Sequence, residues 1–259
     1  MSLSASTASV LYEFECAGSS HGAGNPGAVR MTGKDEYYNR AKQEGYRARS
    51  AYKLKQLDET ADLLGEGRTV VDLGAAPGGW LQVAAERVGS GGTVVGVDRQ
   101  RIEALEESDA TVEFVRGDIT EADTKAAIRE TVDDTVDVVL SDMAPNMSGE
   151  YDLDHARSVH LARQAFELAS DLLGPGGDLA VKVFDGRDLA DLEAEIDAEF
   201  EYVRQVRPEA SRDASSELYL VAKNRLTAPV SVGEEVVRSD EITENVGWLP
   251  HGAERGEGV

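Results

Sequence analysis

The 259-residue chain is long enough for one large α/β domain with small appendages, and no stretch approaches the roughly 20 apolar residues of a membrane span. Its single cysteine, Cys16, excludes an intrachain disulfide and fits a reducing cytoplasm; the four histidines lack metal-site spacing. Forty-nine acids against 26 bases leave a net charge of −23, which would repel a polyanion at low salt.

Only seven of the bases are lysines, an acidic, lysine-poor balance that resembles proteins of salt-loving archaea. At molar salt the screening length falls to about 3 Å and the repulsion fades. The counterion-release gain from binding nucleic acid fades with it. An RNA substrate is therefore compatible with this charge, and a cytoplasmic monomer is expected.

In chain order, residues 1–30 are rich in Ser, Ala and Gly and read as a disordered leader, with Met31 as a second candidate start. The folded unit is expected over 31–225, opening on a basic segment at 31–57. Between 30 and 55 eight bases stand against three acids, with Tyr37, Tyr38, Tyr46 and Tyr52 interleaved. That mixture suits phosphate contacts and base stacking, or equally a solvated amphipathic helix.

From there short β-branched runs alternate with helical stretches, the pattern of a parallel, doubly wound sheet. Strands are expected over 69–73, 93–97, 112–115, 136–140, 178–184, 202–206 and 218–222. Helices are expected over 48–57, 79–87, 122–132, 154–173 and 189–200. In the fourth helix Val159, Ala162, Phe166, Ala169 and Leu173 recur at helical spacing, and the glycines and proline at 174–177 stop it.

The strongest local signal is the run from Val70 to Trp80, where a buried strand enters a glycine-rich turn and then a helix. Such a turn lets backbone approach a ligand at the carboxyl ends of the strands. Three residues separate Gly74 from Gly78-Gly79, which departs from a dinucleotide fingerprint. The absence of a following Lys-Ser/Thr excludes a phosphate-cradling P-loop. Asp98, ending the second strand, is placed to hold ribose hydroxyls of a nucleoside ligand. Asp118, after the third, is placed to meet an adenine amino edge. Asp142 opens a polar, proline-containing loop after the fourth strand, the kind of segment that carries sites.

Lys182 interrupts an otherwise apolar strand. A lysine taken out of water is costly to keep charged, which suits it to accept a proton. Glu217 stands in a comparable place, at the head of the last apolar strand after a polar loop.

Five strings, RARSAYKL (47–54), VDLGAAPGGW (71–80), SDMAPNMSG (141–149), VKVF (181–184) and SRDASSELYLVA (211–222), together resemble the FtsJ/RlmE family of 23S rRNA (uridine-2′-O-)-methyltransferases, in a haloarchaeal type. The resemblance runs in order from about Lys34 to Lys223. It implies an α/β, Rossmann-like class I methyltransferase fold: a seven-stranded, mostly parallel sheet with helices on both faces. It implies S-adenosylmethionine as cofactor and ribosomal RNA of the large subunit as partner, without a metal or a membrane. By the same resemblance Lys53, Asp142, Lys182 and Glu217 form a catalytic tetrad. Gly78, Trp80, Asp98, Asp118 and Asp142 line the cofactor site. In this reading Lys182 is the base that takes the ribose proton, aided by nearby Lys53; Asp142 orients it while opposing its neutralisation. Lys53 and Glu217 position ribose and phosphate.

Residues 226–259 form an acidic tail whose run at 228–236 resembles the opening of a TRAM module and then stops short. Three other functions fit part of the pattern: ribose methylation of tRNA, a nicotinamide-dependent oxidoreductase, and a non-catalytic ribosome-assembly factor. The glycine spacing speaks against the second and the intact tetrad against the third.

Overall fold

The structure, a computed structural model, describes residues 33–132, 135–212 and 215–227. The leader at 1–30, Met31 and the TRAM-like run at 228–236 lie outside the described residues. Seven strands form one sheet: β1 (Thr69–Leu73), β2 (Thr93–Asp98), β3 (Thr111–Arg116), β4 (Val136–Ser141), β5 (Leu173–Phe184), β6 (Phe200–Val206) and β7 (Glu217–Arg225). Their spatial order is β3-β2-β1-β4-β5-β7-β6. The first five are parallel, and β7 runs antiparallel to both β5 and β6.

Among the described residues there are six α-helices: α1 (Gly33–Glu44), which packs on α2, and α2 (Ala51–Ala61), α3 (Gly79–Val88), α4 (Ala122–Thr131), α5 (Tyr151–Leu172) and α6 (Leu189–Asp197), which cover the sheet. Alternate residues of each central strand enter opposite cores. Val71, Val95, Val139 and Val181 pack with Val159, Ala162 and Phe166 of α5. Val70, Val94, Val138 and Ala180 pack with Leu54 and Leu57 of α2 and Leu81 of α3. Burial on both faces is why these strands read as unbroken apolar runs. This is the Rossmann-like, mostly parallel seven-stranded sheet expected of a class I methyltransferase, with helices on both faces.

The chain winds outward from β1 to β3, then crosses back to β4 on the other side. Such a reversal opens a crevice beyond the carboxyl ends of the strands. Residues 74–78, Asp98 and Asp142 all lie at that edge.

Several boundaries differ from those expected. The second helix starts and ends later, at Ala51–Ala61, because Leu57 and Ala61 are buried and Asp62 caps it in a left-handed conformation. The last helix stops at Asp197, and Phe200, 2% exposed, already begins β6. Val136 pairs with Leu173 and Val138 with Asp178, so the glycines and proline at 174–177 bulge out of a ladder that starts earlier than expected.

The basic segment is engaged more internally than its composition suggests. It folds into α1 and the start of α2, separated at Gly45, whose φ is 81°. Tyr37 and Tyr46 pack on Tyr52, with ring centroids 5.4 and 5.8 Å away. Arg40 sits 4.7 Å over the Tyr52 ring and Lys55 4.2 Å over that of Tyr46. Arg47 spends its guanidinium on the carbonyls of Glu103 and Ala104, each at 2.6 Å. Arg49 donates to the Ala210 carbonyl at 2.6 Å. Much of what composition offers for RNA therefore holds the fold together. Among the four tyrosines only Tyr38, at 62% exposure, presents a free large surface.

Candidate active site

The loop after β1 is pinned to the end of β2. The N–H groups of Gly74 and Ala75 donate to the Val97 carbonyl at 2.9 and 3.1 Å, and that of Ala76 to Asp98 Oδ2 at 3.0 Å. Gly74 and Gly78 both have left-handed φ, 80° and 110°. A Cβ on Gly74 would come within 2.7 Å of the Met143 side chain, and one on Gly78 within 2.8 Å of Arg47. Conformation calls for glycine at both positions, and at Gly74 the Met143 backbone, 3.3 Å from such a Cβ, leaves little room as well.

Beside the loop lies a cleft of about 660 Å³, lined among others by Gly74, Ala76, Asp98, Asp118, Asp142 and Met143. Asp98 uses one lone pair of each oxygen internally, Oδ2 on Ala76 and Oδ1 on the Gln100 N–H at 2.7 Å. Its remaining lone pairs can accept from vicinal hydroxyls. Asp118 Oδ1 takes the Thr120 N–H and hydroxyl at 3.0 and 2.8 Å, and these donors hold its carboxyl below the usual range. Asp118 thus lines the cleft as a carboxylate favoured in its ionised form, with Oδ2 3.8 Å from Arg99 Nε.

Gly78 and Trp80 are placed differently. Gly78 caps α3 and Trp80 follows in its first turn, where free backbone N–H groups attract a carboxylate. The Trp80 indole turns inward: it is 3% exposed, donates Nε1 to the Ser50 carbonyl at 2.8 Å, and packs 5.7 Å from the Tyr219 ring. Its indole is thus engaged in packing and does not line the cleft of about 660 Å³.

Asp72, in the last turns of β1, is fully buried and neither carboxylate oxygen has a hydrogen-bond partner. Burial pushes its carboxyl well above 3.8, and Asp142 and Asp98 push the same way. Asp72 therefore stays protonated and neutral beneath the loop, and the negative potential of the cleft comes from Asp98, Asp118 and Asp142 along its wall. The folded chain therefore binds a proton that the unfolded chain releases above pH about 4, so stability falls as pH rises toward the raised value. Asp72→Asn is expected to remove that slope: in denaturant titrations its advantage over wild type grows from pH 4 to 7. Parallel stability–pH curves for the two proteins would contradict this.

The four tetrad residues assemble as two ion pairs. Lys182 Nζ lies 2.9 Å from Asp142 Oδ1 and 2.5 Å from the Asp142 carbonyl. Lys53, on α2, lies 2.5 Å from Glu217 Oε1. Lys53 thus engages Glu217, while Asp142 is the partner of Lys182. Tyr219 joins the pairs: its hydroxyl donates to Asp142 Oδ1 at 2.6 Å, and Lys53 Nζ lies 6.0 Å from its ring centre. Register explains the grouping. Tyr219 pairs with Lys182 and Glu217 with Phe184 across the β5–β7 ladder, so Lys182, Tyr219 and Glu217 share one face. Lys182 is 7% and Lys53 9% exposed, and Tyr219 is fully buried. Burial raises the Tyr219 phenol far above its ordinary value, with Asp142 adding to the effect, so it serves as a neutral donor.

The flanking loop is fixed from α5. Asp154 accepts from Ser148 N and Oγ, both at 2.8 Å, and from Gly149 N at 3.1 Å. The Ser148 N–H contributes most to holding this carboxyl below the usual range. His155 Nδ1 meets the Phe184 carbonyl at 3.0 Å, and its Nε2 accepts from the Asp188 N–H at 3.1 Å, a pairing that defines its neutral tautomer. Sequence reasoning missed Asp72, Tyr219 and Met143. Asp72 carried a usable signal, an acid inside an apolar strand; Met143 carried none.

Among the described residues no group of three or more His, Cys, Asp or Glu could hold a metal ion, and no helix is long and apolar enough to cross a membrane.

Residues 46–225 match the FtsJ-like methyltransferase family. The ribosomal RNA large subunit methyltransferase E of Haloarcula marismortui is 67% identical over 235 residues, covering 88% of this chain and 86% of its own. Its namesake in Methanothrix thermoacetophila is 52% identical over 201 residues, covering 78% and 76%. A solved structure assigned as a ribosomal RNA methyltransferase of Plasmodium falciparum superposes with a TM-score of 0.62 at 28% identity, over 70% of this chain and 99% of that one. These matches overturn the oxidoreductase reading, which the glycine spacing had already weakened. The chain belongs to the FtsJ-like methyltransferase family.

Proposed function

We propose that this protein methylates the 2′-hydroxyl of a uridine in the 23S RNA of the large ribosomal subunit, with S-adenosylmethionine as methyl donor. The observation that carries the reading is the Lys182–Asp142 pair at 2.9 Å on the rim of a nucleoside-sized cleft. The names of relatives at 67% and 52% identity support the acceptor.

The residues fit the cofactor. Asp98 would hold its ribose hydroxyls and Asp118 its adenine amino group. The backbone at Gly78 and Trp80 would receive its carboxylate. The carboxylates that line the cleft, Asp98 and Asp142 among them, suit its cationic end. When bound, S-adenosylmethionine supplies a methyl group already activated on a sulfonium.

The chain has two remaining tasks, to place a ribose oxygen in line and to take its proton. Lys182 takes the proton as the neutral amine, its own proton having first passed to water; Asp142, fixed by Tyr219, aims the amine. Lys53 and Glu217 hold each other beside the acceptor and position its ribose and phosphate. Methyl transfer to large subunits isolated from cells lacking this protein tests the acceptor. Rapid labelling of those subunits and none of tRNA is the expected result; preferential labelling of tRNA would replace it with the tRNA reading.

A further inference from the structure

Acids outnumber bases by 49 to 26, so a cleft without acids is out of character for this surface. A second cleft, of about 520 Å³, is lined by Arg99, Arg157 and His160 and by no acid, with Pro145, Ala156 and Leu161 adding apolar surface. It shares Arg99, Ala144, Asn146 and Leu161 with the cofactor cleft, so the two are continuous. Arg157 and His160 stand three residues apart on α5, on one exposed stripe.

Arg157 Nη1 donates to the Asn146 carbonyl at 3.3 Å, which props the guanidinium against the loop leading from Asp142. Most of its five donors stay available. Arg99 is 78% exposed at its side chain and only 3.8 Å from Asp118 at its Nε. Asp154, the nearest acid of α5 in sequence with a fixed role, points inward to Ser148 and Gly149 and is 3% exposed. At molar salt long-range attraction is screened, so an acidic protein has to hold a polyanion by close, forked contacts. An apolar floor beneath them suits the face of a base.

We propose that this cleft seats a nucleotide of the acceptor RNA neighbouring the methylated one, its phosphate on Arg99 and Arg157 and its base on Pro145 and Ala156. The inference rests on the RNA reading above and states where the strand runs: from the tetrad, across the loop after Asp142, onto α5.

The test is an Arg157→Ala/His160→Ala double variant, titrated with fluorescent oligouridylate between roughly 0.5 and 2 M KCl. Binding is expected to weaken roughly fivefold and the log–log salt slope to shrink by about 0.7, one phosphate contact on a single strand. KM for undermethylated subunits rises, while S-adenosylmethionine affinity and melting temperature stay at wild-type values. Arg157→Lys, which keeps the charge and loses the fork, recovers part of the affinity. Wild-type RNA affinity and slope in the double variant would overturn the proposal. So would a parallel loss of S-adenosylmethionine affinity, which would give the cleft to the cofactor. A wild-type protein that binds neither oligouridylate nor subunits would instead overturn the RNA reading itself.

Discussion

Lys182→Met is expected to lower kcat for methyl transfer by roughly 10²- to 10⁴-fold, the range of a lost general base. Methionine keeps the length and apolar stem of a side chain that is 7% exposed, so packing is largely retained. Asp142 keeps the Tyr219 hydroxyl at 2.6 Å and is 18% exposed at its side chain, so water can replace the lost ammonium. Cofactor affinity, measured by calorimetry, should stay within about threefold, because the residues that would grip the nucleoside are Asp98 and Asp118. Lys182→Ala should behave the same way at somewhat lower stability. Near-normal turnover with normal cofactor binding, in either variant, would remove Lys182 from the chemistry.

The second large effect concerns stability. Trp80→Ala empties a site between α2, α3 and β7, ends the contact with Tyr219, and leaves the Ser50 carbonyl without its indole donor. Truncating a buried aromatic costs about 3–5 kcal/mol, read as a lower denaturant midpoint at unchanged slope. Trp80→Phe keeps most of the ring volume and loses the one hydrogen bond, a cost nearer 1 kcal/mol. Cofactor affinity of the phenylalanine variant should lie within about threefold of wild type. Normal stability with a large loss of cofactor affinity would show instead that the indole itself is a ligand. Trp80 also packs against Tyr219, so its packing connects α3 to the residue whose hydroxyl donates to Asp142.

The sheet was legible because its central strands are buried on both faces, which leaves apolar runs that no helix pattern explains. The glycine turn was legible because close backbone approach tolerates little else. The residues of the proposed tetrad stood out in a different way. Lys182 is conspicuous as a lysine in an apolar strand, yet Lys223 has comparable burial and serves structure: it binds Asp178 at 2.6 Å and the Asp62 carbonyl at 2.8 Å. Burial alone could not separate the two; only the family resemblance proposed a chemical role for Lys182. Asp72 obeyed the rule that singled out Lys182 and passed unremarked inside its strand.

The basic segment shows the opposite failure. Composition records that Arg47 and Arg40 are cations but not what they face, and here they face backbone carbonyls, an aromatic ring and Glu44. Arg99, Arg157 and His160 are dispersed in sequence and meet only through the reversal of strand order beside β1 and the packing of α5. No local pattern announces such a cluster. In a strongly acidic chain, the cations that remain open to solvent in a cleft say more about the ligand than the total count does.

The central claim is the position of the new methyl group. Undermethylated large subunits would be incubated with the purified protein and S-adenosylmethionine at molar salt, and their 23S RNA mapped by resistance to alkaline cleavage. One uridine is expected to become alkali-resistant, and Lys182→Met to leave it cleavable. A methyl group found on a base, with every ribose still cleavable, would contradict the assignment of Lys53, Asp142, Lys182 and Glu217 to ribose chemistry.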